Sequence, residues 1–208
     1  MVGEGVLAEA LNNPDVEQVL VINRKPCGVS HPKLKEILHS NFLDITAIAS
    51  QLSGYNACFF CLGVSSVGMK EPEYTKMTYD LTLHIAGVLA KQNPDMTFIY
   101  VSGASTDSTE HGRQMWARVK GKTENDLMKL PFKQVYAFRP GVMKAAEGAK
   151  NTPKIYRYLE WLYPVIKTVA PNVACTLAEV GQAMIKAVTK GYEKQVLEVK
   201  DIVALSKS

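Results

Sequence analysis

Thr97-Phe98-Ile99-Tyr100-Val101-Ser102-Gly103-Ala104-Ser105, followed by Met115-Trp116-Ala117-Arg118-Val119-Lys120-Gly121-Lys122-Thr123-Glu124, decides the fold. Five β-branched or aromatic residues in a row favour a pleated strand, and Ser102-Gly103 breaks it. Residues 113–130 then space their apolar side chains for one helical face. A strand, a turn and a helix in that order form half of a βαβ unit.

The same rhythm extends in both directions. Upstream, the pattern predicts a helix over 6–11 stopped by Asn12-Asn13-Pro14, strands over 18–22 and 34–38, and a helix over 45–52 ended by Ser53-Gly54. Residues 57–62 form a near-continuous apolar run that fits a central strand buried on both faces. A long helix over 73–91 follows, ended by Asn93-Pro94. Downstream, a strand over 133–138 precedes Arg139-Pro140-Gly141, helices are expected over 153–168 and 177–189, and a short strand at 195–199 leads to a helical turn at 201–205. Alternation of this kind predicts an α/β fold with a doubly wound, mainly parallel sheet. No internal repeat or low-complexity linker divides the 208 residues, so a single domain is expected, with a small substrate-side region at about 142–208.

Composition narrows the function. Apolar residues make up 47% and charged residues 21%, and 24 Lys and Arg against 20 Asp and Glu give +4. No run of like charges accompanies that excess, which argues against a nucleic-acid partner. No apolar stretch is long enough for a membrane span, and the N-terminus lacks a secretory pattern. Four cysteines suit a reducing compartment, so a cytoplasmic location is expected. Cys58-Phe59-Phe60-Cys61 matches C-x-x-C, but residues three apart on a strand point to opposite faces. The pair therefore reads as core, and no metal site is expected.

The segment from Thr97 to Glu124 resembles the active-site half of the short-chain dehydrogenase/reductases. The atypical branch fits best, with the sugar-nucleotide epimerases, the NmrA-like regulators and the Tat-interacting tumour suppressor. The resemblance implies a Rossmann-like, NAD(P)-binding fold that acts on a small-molecule substrate, with room for a homodimer. Gly3 stands where the third glycine of the pyrophosphate turn would be, and the first strand and earlier glycines are missing, which suggests about ten residues absent upstream. Asn23 and Arg24 follow the strand that binds the adenosine ribose. Arg24 replaces the usual acidic residue there and implies NADP in preference to NAD. Asp44 corresponds to a carboxylate beside the adenine and also reads as a helix cap. Leu62, Gly63 and Val64 match the close approach of backbone to cofactor, and Pro140 and Gly141 match the wall of the nicotinamide side.

In the family, Ser positions the reacting oxygen, Tyr moves the proton, and Lys holds the ribose. Lys120 is present here; either Ser102 or Gly103 aligns with the serine position, and Ser105 lies slightly beyond it. Trp116 replaces the tyrosine, and an indole is neither acid nor base at neutral pH. Tyr74, Tyr79 and His111 are alternative acids that read better as packing or surface residues. Three readings remain: an oxidoreductase or epimerase-like enzyme with an unidentified proton donor, a catalytically silent nucleotide sensor or scaffold, and a degenerate fragment that binds nothing, which only the missing first strand supports. The aromatic helix expected over Ile155 to Ile166 reads first as packing of the C-terminal substrate-side region, with a substrate lid, a dimer surface or a membrane-interface element as alternatives.

Overall fold

The computed structural model describes residues 2–144 and 171–208. The helix expected over 153–168 lies outside the described residues. The chain forms two compact units: Phe42–Arg139 with Glu193–Glu198, and Met1–Asn41 with Pro140–Tyr192 and Val199–Ser208.

The first of these units is built on an all-parallel sheet. Its strands are β3 (Ala57–Phe60), β4 (Thr97–Val101), β5 (Gln134–Arg139) and β8 (Val196–Glu198), hydrogen-bonded in the order β3-β4-β5-β8. The apolar runs of β4 and β5 explain their central place, since Phe98, Ile99, Ala137 and Phe138 are at most 1% exposed. β3 was expected to be central and is instead an edge strand of this sheet, with only Phe60 fully buried. A continuous apolar run marks burial potential but does not count neighbours.

The helix expected over 73–91 is a rod in three parts: α2 (Glu71–Thr75), a π-helical turn (Lys76–Asp80) and α3 (Leu81–Gln92). The segment Thr46–Leu52 is a 3-10 helix, not an α-helix. Its last turn is anchored from α3 by the buried Asn93, which donates to the Leu52 carbonyl at 2.9 Å and accepts from the backbone N–H of Gly54 at 2.8 Å and of Tyr55 at 3.2 Å. A residue read as punctuation therefore fixes the entry into β3.

The other unit holds two parallel pairs: β1 (Val19–Asn23) with β2 (Leu34–Leu38), and β6 (Val142–Lys144) with β7 (Ala174–Thr176). The second pair was not anticipated, because three-residue strands carry almost no periodicity. Helix α1 (Val2–Asn12) starts four residues before its expected position and so absorbs Gly3 and Gly5. The reason lies in packing against α5 (Leu177–Thr189), where a Cβ on Gly5 would stand 2.7 Å from the Leu177 Cβ. A Cβ on Gly181 of α5 would meet Glu9 at 2.8 Å, so glycines on both helices let the backbones approach. Thr176 caps α5 in a capping box with Glu179, whose N–H it accepts at 3.0 Å. The turn expected at 201–205 is a full helix, α6 (Val199–Lys207).

Asn93→Ala strands two N–H groups and one carbonyl at the start of β3, and should cost about 2 kcal/mol. For a chain of this size the midpoint falls by roughly 4–8 °C in thermal denaturation. An unchanged midpoint contradicts the anchoring role.

Candidate functional site

The C-terminal end of β4 carries the site. Helix α4 (Met115–Leu127) returns past it and supplies each residue of the Lys120-Gly121-x-x-Glu124 pattern. Lys120 Nζ donates to the carbonyl of Ser102, the first residue beyond β4. Burial pulls the Lys120 ammonium below the usual lysine range, and the charge of Glu124 partly offsets this. Gly121 lets the loop after β4 lie against the helix, because a Cβ there would stand 1.8 Å from the Asp107 carbonyl oxygen. The loop also docks through Asp107 N–H to the Ala117 carbonyl at 3.1 Å.

Glu124 is the hub of a buried network. Its side chain is 0% exposed and forms an ion pair at 2.5 Å with Arg139 at the end of β5, whose side chain is 10% exposed. Arg139 Nε also donates to Glu124 Oε1 at 3.1 Å, Nη2 donates to Ser108 Oγ at 2.5 Å, and Nη1 donates to Glu198 on β8 at 3.1 Å. The Ser102 hydroxyl donates to Glu124 Oε1 at 2.5 Å. One guanidinium and one carboxylate thus tie together the ends of β4, β5 and β8, the helix α4 and the loop between them.

Of the residues singled out from sequence, the structure brings Ser102 and Lys120 together, through the serine carbonyl rather than its hydroxyl. Gly103 is adjacent, at φ +144°, and a Cβ there would find only Lys120 Nζ within 4 Å, at 4.0 Å. Ser105 is exposed, in a left-handed turn conformation at φ 68°. Trp116 is half-buried one helical turn before Lys120. Leu62, Gly63 and Val64 are exposed just past β3, and a Cβ on Gly63 would meet nothing within 4 Å. Asp44 accepts from the Thr46 N–H at 2.9 Å and so caps the 3-10 helix.

The remaining candidates belong to the other unit. Gly3 is exposed inside the first turn of α1 rather than in a turn before it. Asn23 ends β1 and donates to Glu36 on β2 at 2.8 Å; the Cys27 N–H reaches the same oxygen at 2.9 Å, and these two bonds hold the Glu36 carboxyl below its usual range. Arg24 projects from the loop so formed and is exposed. Pro140 is buried, and Gly141 is required by packing, since a Cβ would stand 2.2 Å from the Val173 carbonyl oxygen.

The other proton carriers singled out from sequence are either engaged or at the surface. Tyr79 donates to Asp126 at 2.7 Å, and that carboxylate with burial pushes its hydroxyl above the ordinary tyrosine range. Tyr74 and Tyr100 are each 2% exposed, and burial pushes both upward. His111 is exposed. Burial raises the thiols of Cys58 and Cys61 to about 12, and Cys27, Cys58 and Cys61 are free. Among the described residues no group of three His, Cys, Asp or Glu could hold a metal ion, and no helix is long and apolar enough to cross a membrane.

Solved structures match this fold over nearly the whole chain. The ADP-L-glycero-D-manno-heptose-6-epimerase of Helicobacter pylori aligns with a TM-score of 0.65 at 14% identity, covering 100% of this chain and 77% of its own. The fold is that of the sugar-nucleotide epimerases. A UDP-galactose 4-epimerase gives 0.64 at 13% identity over 98% of this chain and 78% of its own. WbmF of Bordetella bronchiseptica, in complex with NADH, gives 0.65 at 14% over 99% and 72%. These proteins share the epimerase fold and its Rossmann-type parallel sheet.

No protein-family model matches the chain. Among curated proteins, the mitochondrial protein FMP52-1 of Scheffersomyces stipitis is 24% identical and covers 93% of this chain and 86% of its own. That relative overturns the cytoplasmic expectation. Sparse cysteines and the lack of a secretory pattern argue only against export, and thiols also stay reduced inside organelles.

The Glu124–Arg139 pair was missed from sequence as a unit, although both residues stand in quoted motifs. The available signal was an acidic residue on the apolar face of a helix and an arginine ending an apolar strand, each needing a partner once buried. Glu124→Ala leaves Arg139 buried beside a void and should cost about 3–5 kcal/mol in urea unfolding. A loss below about 1 kcal/mol, typical of exposed pairs, contradicts the network.

Proposed function

We propose that this chain binds a nicotinamide dinucleotide, NADP in preference to NAD, and belongs functionally with the oxidoreductases and epimerase-like proteins. The observation that carries this is Lys120 held on the Ser102 carbonyl at the C-terminal end of a central parallel strand, the edge at which ligands bind in sheets of this kind. The residues fit the group. Lys120 Nζ has donors left for ribose hydroxyls, Gly63 offers backbone without a side chain, and Leu62 and Val64 present apolar surface for a ligand to cover. In the other unit, Arg24 follows Asn23, which is held on Glu36, and carries the guanidinium that the sequence resemblance assigns to a 2′-phosphate. WbmF, which shares the fold, is known in complex with NAD+ and with NADH.

When bound, the dinucleotide supplies or accepts a hydride; this chain's residues bind and orient it. The silent sensor or scaffold is favoured by one observation: the Ser102 hydroxyl is committed to Glu124, and Trp116 occupies the tyrosine position.

Calorimetric titration with NADPH and NADH tests the proposal. NADPH should bind more tightly, Arg24→Ala should erase the difference, and Lys120→Met should weaken both about 10- to 100-fold, the worth of a charge-assisted hydrogen bond. Absence of binding by either nucleotide overturns it.

A further inference from the structure

Ser102 joins the buried ion pair to the candidate site. We propose that it is a positioning residue: its hydroxyl, held on Glu124, fixes the backbone carbonyl that aims Lys120, so the Glu124–Arg139 pair sets how tightly the site holds the dinucleotide. This rests on the nicotinamide-binding function above, in which Lys120 meets the ribose.

Three observations support it. Each polar group of Ser102 has a partner: the N–H donates to the Phe138 carbonyl on β5 at 2.9 Å, the hydroxyl donates to Glu124 Oε1 at 2.5 Å with the Phe138 carbonyl at 3.3 Å, and the carbonyl accepts from Lys120 Nζ. The next residue is Gly103 at φ +144°, whose own carbonyl accepts from Thr106 Oγ1 at 2.7 Å. Without a side chain at Gly103 the peptide between the two residues has little steric restraint of its own, and the serine side chain supplies it. Glu124, in turn, is held without the serine: Arg139 donates to Glu124 Oε1 from Nε at 3.1 Å and to Oε2 from Nη2 at 2.5 Å. The carboxylate is an anchor that stands whether or not Ser102 is bonded to it.

The consequence falls on the lysine. An unrestrained lysine side chain samples many rotamers, and a ligand that must select one of them binds more weakly. A carbonyl held in one direction selects the rotamer before the nucleotide arrives, and the ammonium keeps further N–H donors for the ligand. Without the hydroxyl the peptide can turn and the lysine loses its guide. The fold is spared, because the Glu124–Arg139 pair and the bond from the Ser102 N–H to Phe138 both persist. The charge of Glu124 acts in the same direction, since it offsets the burial that disfavours the Lys120 ammonium.

The test is a double-mutant cycle on the full chain, read by calorimetric titration with NADPH. Ser102→Ala should stay folded by circular dichroism and weaken NADPH binding about tenfold. In the Lys120→Met background the same substitution should change the affinity less than about twofold, because the group through which it acts is gone. A residue with a purely structural role weakens binding equally in both backgrounds. Should the alanine variant not fold, Ser102→Cys keeps nearly the same volume, replaces the hydroxyl by a weak donor and enters the same cycle. Unchanged affinity on substituting Ser102, an equal loss in both backgrounds, or NADPH binding that ignores Lys120→Met overturns the positioning role and leaves nucleotide binding intact. Failure of the parent chain to bind NADPH overturns both.

Discussion

A carboxylate and a guanidinium buried together at the carboxyl ends of parallel strands organise the chemistry-bearing half of this protein. Burying either ion alone would be prohibitive, so Glu124 and Arg139 must meet, and α4 and β5 are placed by that requirement. The remaining bonds of Arg139 bring in Ser108 and Glu198, so the loop after β4 and the strand β8 are located by the same group. Removing Glu124 leaves Arg139 with only Glu198 and Ser108, and removing Arg139 leaves the Glu124 carboxylate buried without a cation, which makes this pair a constraint on geometry rather than a simple gain in stability.

The network also reaches the candidate site. Glu124 accepts from the Ser102 hydroxyl, and the Ser102 carbonyl accepts from Lys120. Gly121 lets the loop press against α4, and the backbone twist at Gly103 leaves open space beside the lysine amine. What remains is a cation held on the backbone, with Trp116 one helical turn before it.

Much of this was legible in the chain. The alternation of apolar runs and amphipathic segments specified the parallel α/β architecture, and residues 34–38, 97–101 and 177–189 form the anticipated elements because pattern and packing agree there. Gly3 was read as a turn residue, but it lies with Gly5 inside α1, where the close packing of Gly5 on α5 outweighs the poor helix propensity of glycine. The central place expected for β3 failed because an apolar run does not reveal how many strands flank it. Lys120 could be singled out from its spacing to Trp116, whereas the commitment of Ser102 to Glu124 depends on a contact across 22 positions that no local pattern encodes.

A crystal structure of the chain grown with NADPH tests the central claim most directly. The ribose hydroxyls of the nicotinamide end should lie within hydrogen-bond distance of Lys120 Nζ, Leu62 and Val64 should be covered, and Glu124 should remain on Arg139. A nucleotide bound elsewhere, with Lys120 untouched, would contradict the account.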